Sequence, residues 1–577
     1  MSTIQETISP ATTVSQSTSP RYARLVFGFI AFFFVVTSLV STGLNRYHAD
    51  EWFYSDGALR MMESGDYFTP TYADGAHRFN KPVLPYWVTL AGFKIFGVSL
   101  WSARVLFVLA GCAALWLTWR TARVLFDSDE IALLAVAIFG SSHKLITLSG
   151  CSITDILFML CMLLSQYGFV RLLFANDRRF SAYACAYMGS GLALATRGIL
   201  GFTPVFFAWA FAWLWRRKEP NGLRRLVNMP AMLGGAAIGG GWVIAMLILH
   251  GQTFVSEFLH DQAASRFHDS LWYINIFAYP GAILTEFVPW LVPLAIVLVQ
   301  DHRRFFSCVK NLGARAWFVL GWTALVIVMY TPGNLTRARY MLPAFPLFAV
   351  LLAALLLKAA PGLLDRTWRG IALVFAAIAI PAGISIASIG TRIDARLLLG
   401  GLELLGLALA VAVFAWKVQR ISPLMIPAGM IALFAIADVH LRSWAIEHPE
   451  PAAAALIARH APQDGEIMTV GSYSRKCAAR LRLYTNNRFR FAAADSAQRA
   501  NDAHPFALAF GEPVAQQLDL KGYQVFEADN LLGDFKFSEL WRAVRDGGAQ
   551  EYVDQHSTKW FVAFRTQTQD QKPETIP

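Results

Sequence analysis

The sequence predicts a mainly α-helical polytopic membrane protein, with about 13 transmembrane helices and a small C-terminal α/β domain. Three observations carry that expectation. Of the 577 residues, 55% are hydrophobic and only 15% charged, whereas soluble domains carry about 25% charged residues. The apolar residues fall into runs near the roughly 20 residues that a membrane-crossing helix needs. After residue 443 the runs stop, and short β-type stretches alternate with amphipathic ones.

Residues 1–20 are rich in Ser, Thr and Pro and read as a disordered tail. The first apolar run follows Arg21 and Arg24 and lacks a convincing cleavage pattern, so it reads as an uncleaved anchor with its amino end in the cytoplasm. Spans are expected near 24–43, 103–120, 130–149, 156–174, 181–196, 199–215 and 230–249. Others are expected near 277–299, 316–330, 341–357, 370–389, 398–416 and 423–441. The stretch Val83–Gly97 is apolar but short and contains Pro85 and Lys94, so it reads as an interfacial or re-entrant helix in a first outer loop, 44–102.

Loop charge tests this layout. Arg120/Arg123, Arg178/Arg179, Arg216/Arg217/Lys218, Arg303/Arg304, Arg366/Arg369 and Lys417/Arg420 fall in alternate loops. That is the positive-inside pattern, and it also accounts for the net charge of +11 without nucleic acid as a partner. An odd number of spans places the last domain outside. The expected division is a membrane unit at 21–443 and an outer domain at 444–577, with strands at Glu466–Val470, Leu481–Tyr484 and Trp560–Phe564. Six scattered cysteines form no CxxC pair and read as small apolar packing residues.

On this topology the remaining charges collect on the outer side. The stretch HADEWFYSDGALRMMESGDYFTP carries Asp50, Glu51 and Asp56, and RFNKPVLPYW carries Lys81 and Tyr86. Asp155 opens a span and Arg197 closes one. The loop SEFLHDQAASRFHD holds Glu257, His260, Asp261, Arg266 and His268, and TPGNLTRARYMLPAFP holds Arg337, Arg339 and Tyr340. Acids facing several cations at one membrane surface suit group transfer from a lipid phosphate. Fixed cations help an anionic leaving group depart, arginine pairs with phosphate oxygens, and a carboxylate takes a proton from an acceptor hydroxyl or orients it.

Each residue also has a plain structural reading. Asp50 could cap the helix that follows, Asp155 could be a helix cap beside Thr154, and Glu51 could be structural. Lys81 could snorkel, and Arg197, Arg337 and Arg339 could anchor span ends in headgroups. Glu257, His260 and His268 lack a clear fourth ligand, so no metal or other cofactor is expected.

The ordered motifs resemble those of the GT-C membrane glycosyltransferases of the protein mannosyltransferase type, and most closely the bacterial lipid A aminoarabinose transferases. They are ADEWFYSDGALRMMESGDYFTP, HRFNKPVLPYW, SITDILFMLCML, ATRGILG and RARYMLPAFP. The resemblance implies a sugar donor on undecaprenyl or another polyprenyl phosphate, an envelope acceptor, and inversion at the anomeric carbon. It implies a multi-pass protein of the bacterial inner membrane. Asp50 would be the base or acceptor-orienting acid, with Glu51 its companion and Asp155 a second acid. Lys81, Tyr86, Arg197, Arg266, Arg337 and Tyr340 would contact donor phosphate or acceptor.

Two departures bear on the substrate. Asn80 and Val83 stand where those transferases often have Glu and Pro, and Arg-Ala-Arg-Tyr replaces a lysine-rich run. 4-Amino-4-deoxy-L-arabinose on lipid A therefore stands beside other sugars placed on lipopolysaccharide core, another envelope glycan or protein Ser/Thr. Two rivals come from other classes. A lipid or sugar transporter would carry charges within its spans, where this chain has few (Asp438 is one). A scaffold would give Lys81, Asp155 and Arg197 no reason to gather with Asp50.

Overall fold

A computed structural model describes residues 20–42, 48, 50–72, 75–216, 222–260, 270–359, 364–417, 425–442, 450–461, 466–470, 474–494, 507–511, 523–532, 537–548, 551–552, 555 and 557–565. Each of the thirteen predicted apolar segments is helical over its described residues, apart from breaks at 141–142 and 287. Among the described residues, six helices are by themselves long and apolar enough to cross a membrane, and up to nine segments qualify if each of three bent pairs counts as one span. The bends, of 64°, 98° and 96°, fall at 140–143, 286–288 and 312–314.

The membrane unit opens with α1 (Pro20–Thr42), α2 (Glu51–Ser64), α3 (Leu84–Phe96) and α4 (Leu100–Phe126). The short α3 is the helix expected in the first loop. The α4 helix starts where Ser99 and Ser102 exchange capping bonds. Its 27 residues reach about 40 Å, enough to cross the hydrocarbon core. Then come α5 (Asp129–Gly140), α6 (His143–Ser149), α7 (Thr154–Phe174), α8 (Phe180–Arg197), α9 (Thr203–Arg216) and α10 (Met229–Leu259).

The helices differ in what they bury. The apolar windows of Thr154–Phe174 and Ala338–Ala359 are 83% buried inside the protein, against 22% for Thr367–Gly390. The first two form the centre of the bundle, and the last turns its apolar surface outward, as a lipid-facing helix does. Close packing of α7 on α8 depends on a small residue, because a Cβ on Gly168 would lie 2.2 Å from the Ala186 nitrogen.

The C-terminal region is α/β, as expected. Five strands, β1 (Glu466–Val470), β2 (Arg490–Ala494), β3 (Ala507–Gly511), β4 (Tyr523–Leu532) and β5 (Ser557–Arg565), form one sheet of order β2-β1-β3-β5-β4. Strand β1 runs parallel to β2 and β3, while β5 is antiparallel to β3 and β4. One predicted strand is wrong: Leu481–Tyr484 is the last turn of the helix Ser474–Tyr484. Its apolar residues obey helical spacing, with Cys477 and Leu481 buried four positions apart in one core.

That helix joins the two parts of the molecule. Leu483 is buried with Ala58 and Leu59 of α2 and with Leu90 and Phe93 of α3. Arg482 donates to Asp56 on α2 at 2.9 Å and contacts Glu63 as well. The C-terminal α/β region thus rests on the helix that begins at the first acidic pair.

Candidate active site

Asp50 occupies the N-cap position of α2, yet its side chain makes no capping bond. Its Oδ2 accepts instead from Arg339 Nη2 at 2.6 Å. Arg339 lies in the 3-10 turn Ala338–Ala344, within the TRARYMLP motif. Burial pushes the Asp50 carboxyl up, but the charge and hydrogen bond of Arg339, aided by His48 and Arg337, outweigh it and hold the group below the usual carboxylate range. Asp50 is therefore ionised at neutral pH. His48 contacts Arg339, and burial together with that charge lowers its pKa, so the imidazole is neutral there.

Asp155 lies in the first turn of α7 and also makes no cap; that position belongs to Ile153. It accepts from Arg197 Nη1 at 3.0 Å, and Arg339 Nη1 stands 4.0 Å away on its other side. Arg339 thus bridges the two aspartates. The Arg197 guanidinium lies 4.7 Å from the centroid of the Tyr340 ring, which stacks on Tyr330. Gly198, with φ +78°, lets the chain turn sharply just after Arg197. The Asp50 side chain is 40% exposed and that of Asp155 only 4%, so Asp50 is the more accessible acid.

These groups line a cavity of about 210 Å³ together with Phe53, Tyr54, Arg78, Asn80, Lys81, Ile153 and Thr154. Of the expected site residues, Asp50, Asp155, Lys81, Arg197 and Tyr340 meet here. They come from segments far apart in sequence, which removes the separate structural readings of Asp50 and Asp155 as helix caps. Lys81 Nζ also donates to the Asn80 carbonyl at 3.0 Å.

Three expectations need correction. Glu51 is not a companion acid in the cavity. It is fully buried, accepts from Arg104 Nε at 2.6 Å and Nη2 at 2.9 Å, and takes further bonds from Ser152. This pair locks the start of α2 to α4 and to the turn before α7. Burial raises the Glu51 pKa, but Arg104 and the hydrogen bonds pull it below its ordinary value. Tyr86 is buried behind the cavity, where its hydroxyl accepts from Arg78. Arg337 is exposed and absent from the lining, and Arg339 takes the place expected for it. Arg266, Asp261 and His268 lie outside the described residues. Among the described residues no group of three His, Cys, Asp or Glu side chains is arranged to hold a metal.

Sequence reading missed Arg78 altogether, and it named Arg339 among the outer-side charges but chose Arg337 as the site member. Arg78 sits three positions before Lys81, and Arg339 touches Tyr340 in the same motif, so proximity to selected residues was the available signal. A small hairpin presents Arg78: Arg78 N donates to the Pro70 carbonyl and Tyr72 N to that of Ala76.

Residues 22–232, less than half the chain, match the family model described as dolichyl-phosphate-mannose-protein mannosyltransferase. Over 95% of this chain and 98% of the other, the fold superposes with a TM-score of 0.72 on ArnT from Cupriavidus metallidurans bound to undecaprenyl phosphate, at 15% identity. Its apo state gives 0.69 at 16% identity. The fold is GT-C, close to that of the aminoarabinose transferases. Among curated relatives, an undecaprenyl phosphate-alpha-4-amino-4-deoxy-L-arabinose arabinosyl transferase of Pseudomonas fluorescens is 25% identical over 58% of this chain and 57% of its own length. An uncharacterised Aquifex aeolicus protein is 26% identical over 53% of this chain and 58% of its own length. The chain therefore aligns with less than two thirds of those relatives. With its apolar helices and this fold, the chain is a multi-pass membrane protein.

Proposed function

We propose that this protein transfers a sugar from a polyprenyl phosphate, undecaprenyl phosphate in a bacterium, to an envelope acceptor, with inversion at the anomeric carbon. The observation that carries the reading is the gathering of Asp50, Asp155, Lys81, Arg197 and Arg339 around one cavity. In the reaction, an acceptor oxygen bonds to the anomeric carbon as the bond from that carbon to the phosphate oxygen breaks. The electron pair leaves with the lipid phosphate, and Lys81, aided by Arg266, stabilises it.

Asp50 faces the acceptor. Held ionised by Arg339, it is a weak proton acceptor and a strong hydrogen-bond acceptor, which suits orienting a hydroxyl or countering positive charge at the anomeric carbon. A hydroxyl acceptor gives its proton to Asp50 late in the transfer; an ionised phosphate acceptor has none to give. Asp155 holds Arg197 and Arg339 in place. Residues 21–443 form the transferase unit. Residues 444–577 form an outer domain, periplasmic in a bacterial inner membrane whose cytoplasmic side holds the amino end.

The names of the relatives support 4-amino-4-deoxy-L-arabinose as the sugar, with lipid A as acceptor. A second reading, another sugar or another envelope acceptor, is favoured by the cationic lining, where Arg78 is present and Asn80 replaces the Glu frequent in those transferases.

The test is a transfer assay on nanodisc-embedded protein with a panel of undecaprenyl phosphate sugars and extracted envelope lipids, read by mass spectrometry of the acceptor. Transfer by wild type that collapses in Asp50→Asn supports the proposal. A folded wild type that uses no donor refutes it.

A further inference from the structure

Arg78 is the cavity-lining cation that the proposed chemistry leaves unused. Four cations line the space, Arg78, Lys81, Arg197 and Arg339, against two carboxylates, Asp50 and Asp155. The two carboxylates are engaged by Arg339 and Arg197. Among the described residues, no carboxylate forms a salt bridge with Arg78.

Its surroundings are aromatic. The guanidinium carbon lies 4.0 Å from the Phe53 ring centroid, 5.3 Å from that of Tyr54, 5.7 Å from Tyr72 and 5.8 Å from Tyr86. Its polar partners are the hydroxyls of Tyr86 and Tyr72, while the buried Nε has no acceptor. The residue is only 5% exposed. A guanidinium carries five N–H donors, and burying a charge without a counter-ion is unfavourable. Ring faces compensate in part. A ligand oxyanion entering the cavity would complete the compensation, and the planar fork suits carboxylate or phosphate.

We propose that Arg78 forms an anion subsite in this cavity, distinct from the contacts to the donor phosphate, for a carboxylate on the transferred sugar or a phosphate on the acceptor. This rests on the glycosyl-transfer reading and narrows its substrate class. A cationic amino sugar placed against Arg78 would be repelled, so an amino sugar can be used only with its amine turned away from that wall.

The experiment uses full-length protein in nanodiscs. Donors are undecaprenyl phosphates bearing a uronic acid, the matching neutral hexose, or a 4-amino-4-deoxypentose. Each is paired with an acceptor glycolipid bearing its phosphates or enzymatically dephosphorylated. Wild type is compared with Arg78→Gln and Arg78→Lys, with thermal melting as the folding control.

In wild type, kcat/KM should be at least about tenfold higher for one class of anionic substrate than for its uncharged counterpart. Arg78→Gln should erase that preference while changing transfer between uncharged partners by less than about threefold. Arg78→Lys should keep part of it. Loss in the donor comparison assigns the subsite to the sugar carboxylate, and loss in the acceptor comparison assigns it to the acceptor phosphate. Equal loss by Arg78→Gln for every pair, without rescue by Lys, would make Arg78 a structural residue and overturn the inference. Equal use of charged and uncharged substrates by wild type would overturn it too, leaving the glycosyl-transfer reading intact. Failure of wild type on all six pairs would refute both.

Discussion

Asp50 and Arg339 stand 2.6 Å apart although 289 positions separate them in the sequence. The contact joins the first loop to the turn before the helix Phe345–Ala359, and the same arginine reaches toward Asp155. If this bridge sets the position and charge of the acid, Asp50→Asn should lower transfer by about 100-fold or more. Arg339→Gln should lower kcat by a comparable factor, and Arg339→Lys should recover only part because it cannot bridge both acids. Steady-state kinetics on the three variants check this; full activity in Arg339→Gln would dismiss the bridge.

The pH dependence follows from the same contact. Asp50 and Glu51 are held below their ordinary values of 3.8 and 4.5. Groups with lowered folded pKa values contribute stability that is complete above the ordinary value and is lost as pH falls through the folded one. The unfolded chain protonates His48 at its ordinary 6.5 and the folded one only at lower pH, so the melting temperature should begin to fall below pH 6.5, whereas the Asp50 acid limb of transfer should lie below pH 3.8. In Arg339→Gln that limb should move upward. Melting and rate profiles on both proteins measure the shift.

Glu51 and Arg104 form a pair with no solvent exposure to speak of. Removing one partner strands a buried charge, at a cost of about 3–5 kcal/mol. Glu51→Ala and Arg104→Ala should each lower thermal stability sharply, and the double variant should be far less destabilised than the sum. Additive effects in this double-mutant cycle would show that the pair is not coupled.

Gly57 faces the Tyr86 ring, and a Cβ there would fall 2.6 Å from Tyr86 Cε1. Gly57→Ala should displace Tyr86 and, through it, Arg78, with about 1–3 kcal/mol of destabilisation. The melting temperature and the preference for anionic substrates should fall together; an unchanged melting temperature would show that the ring moves freely.

The C-terminal α/β region should act on the site through α2. Arg482→Ala removes the buried link to Asp56, though Arg60 still pairs with Asp56 at 2.9 Å. The expected loss is about 2–3 kcal/mol of domain attachment rather than the full cost of an orphaned charge. Hydrogen exchange should speed up in both Ser474–Tyr484 and α2. Faster exchange in the C-terminal region alone would separate the two parts.

Much of the architecture was legible because lipid imposes a long, uniform apolar pattern, and basic residues between the runs marked their ends. Leu481–Tyr484 misled because LRLY alternates like a strand when read apart from Cys477, one turn earlier. In the site, Asp50, Lys81, Asp155, Arg197 and Tyr340 stood out as outer-side polar residues near span ends. The Glu51–Arg104 pair did not, because Arg104 is embedded in an apolar run and meets its partner 53 positions away. Arg337 and Arg339 are alike in sequence, and only the 3-10 turn decides which one points into the cavity. Arg78 was masked by the more familiar-looking lysine three residues on.

The most direct measurement is a cryo-EM structure of the protein in nanodiscs with an undecaprenyl phosphate sugar or a non-hydrolysable analogue. The account predicts phosphate density beside Lys81 and the anomeric carbon on the Asp50 side of the cavity between α2 and α7. A headgroup bound elsewhere, with this cavity empty at saturating ligand, would contradict it.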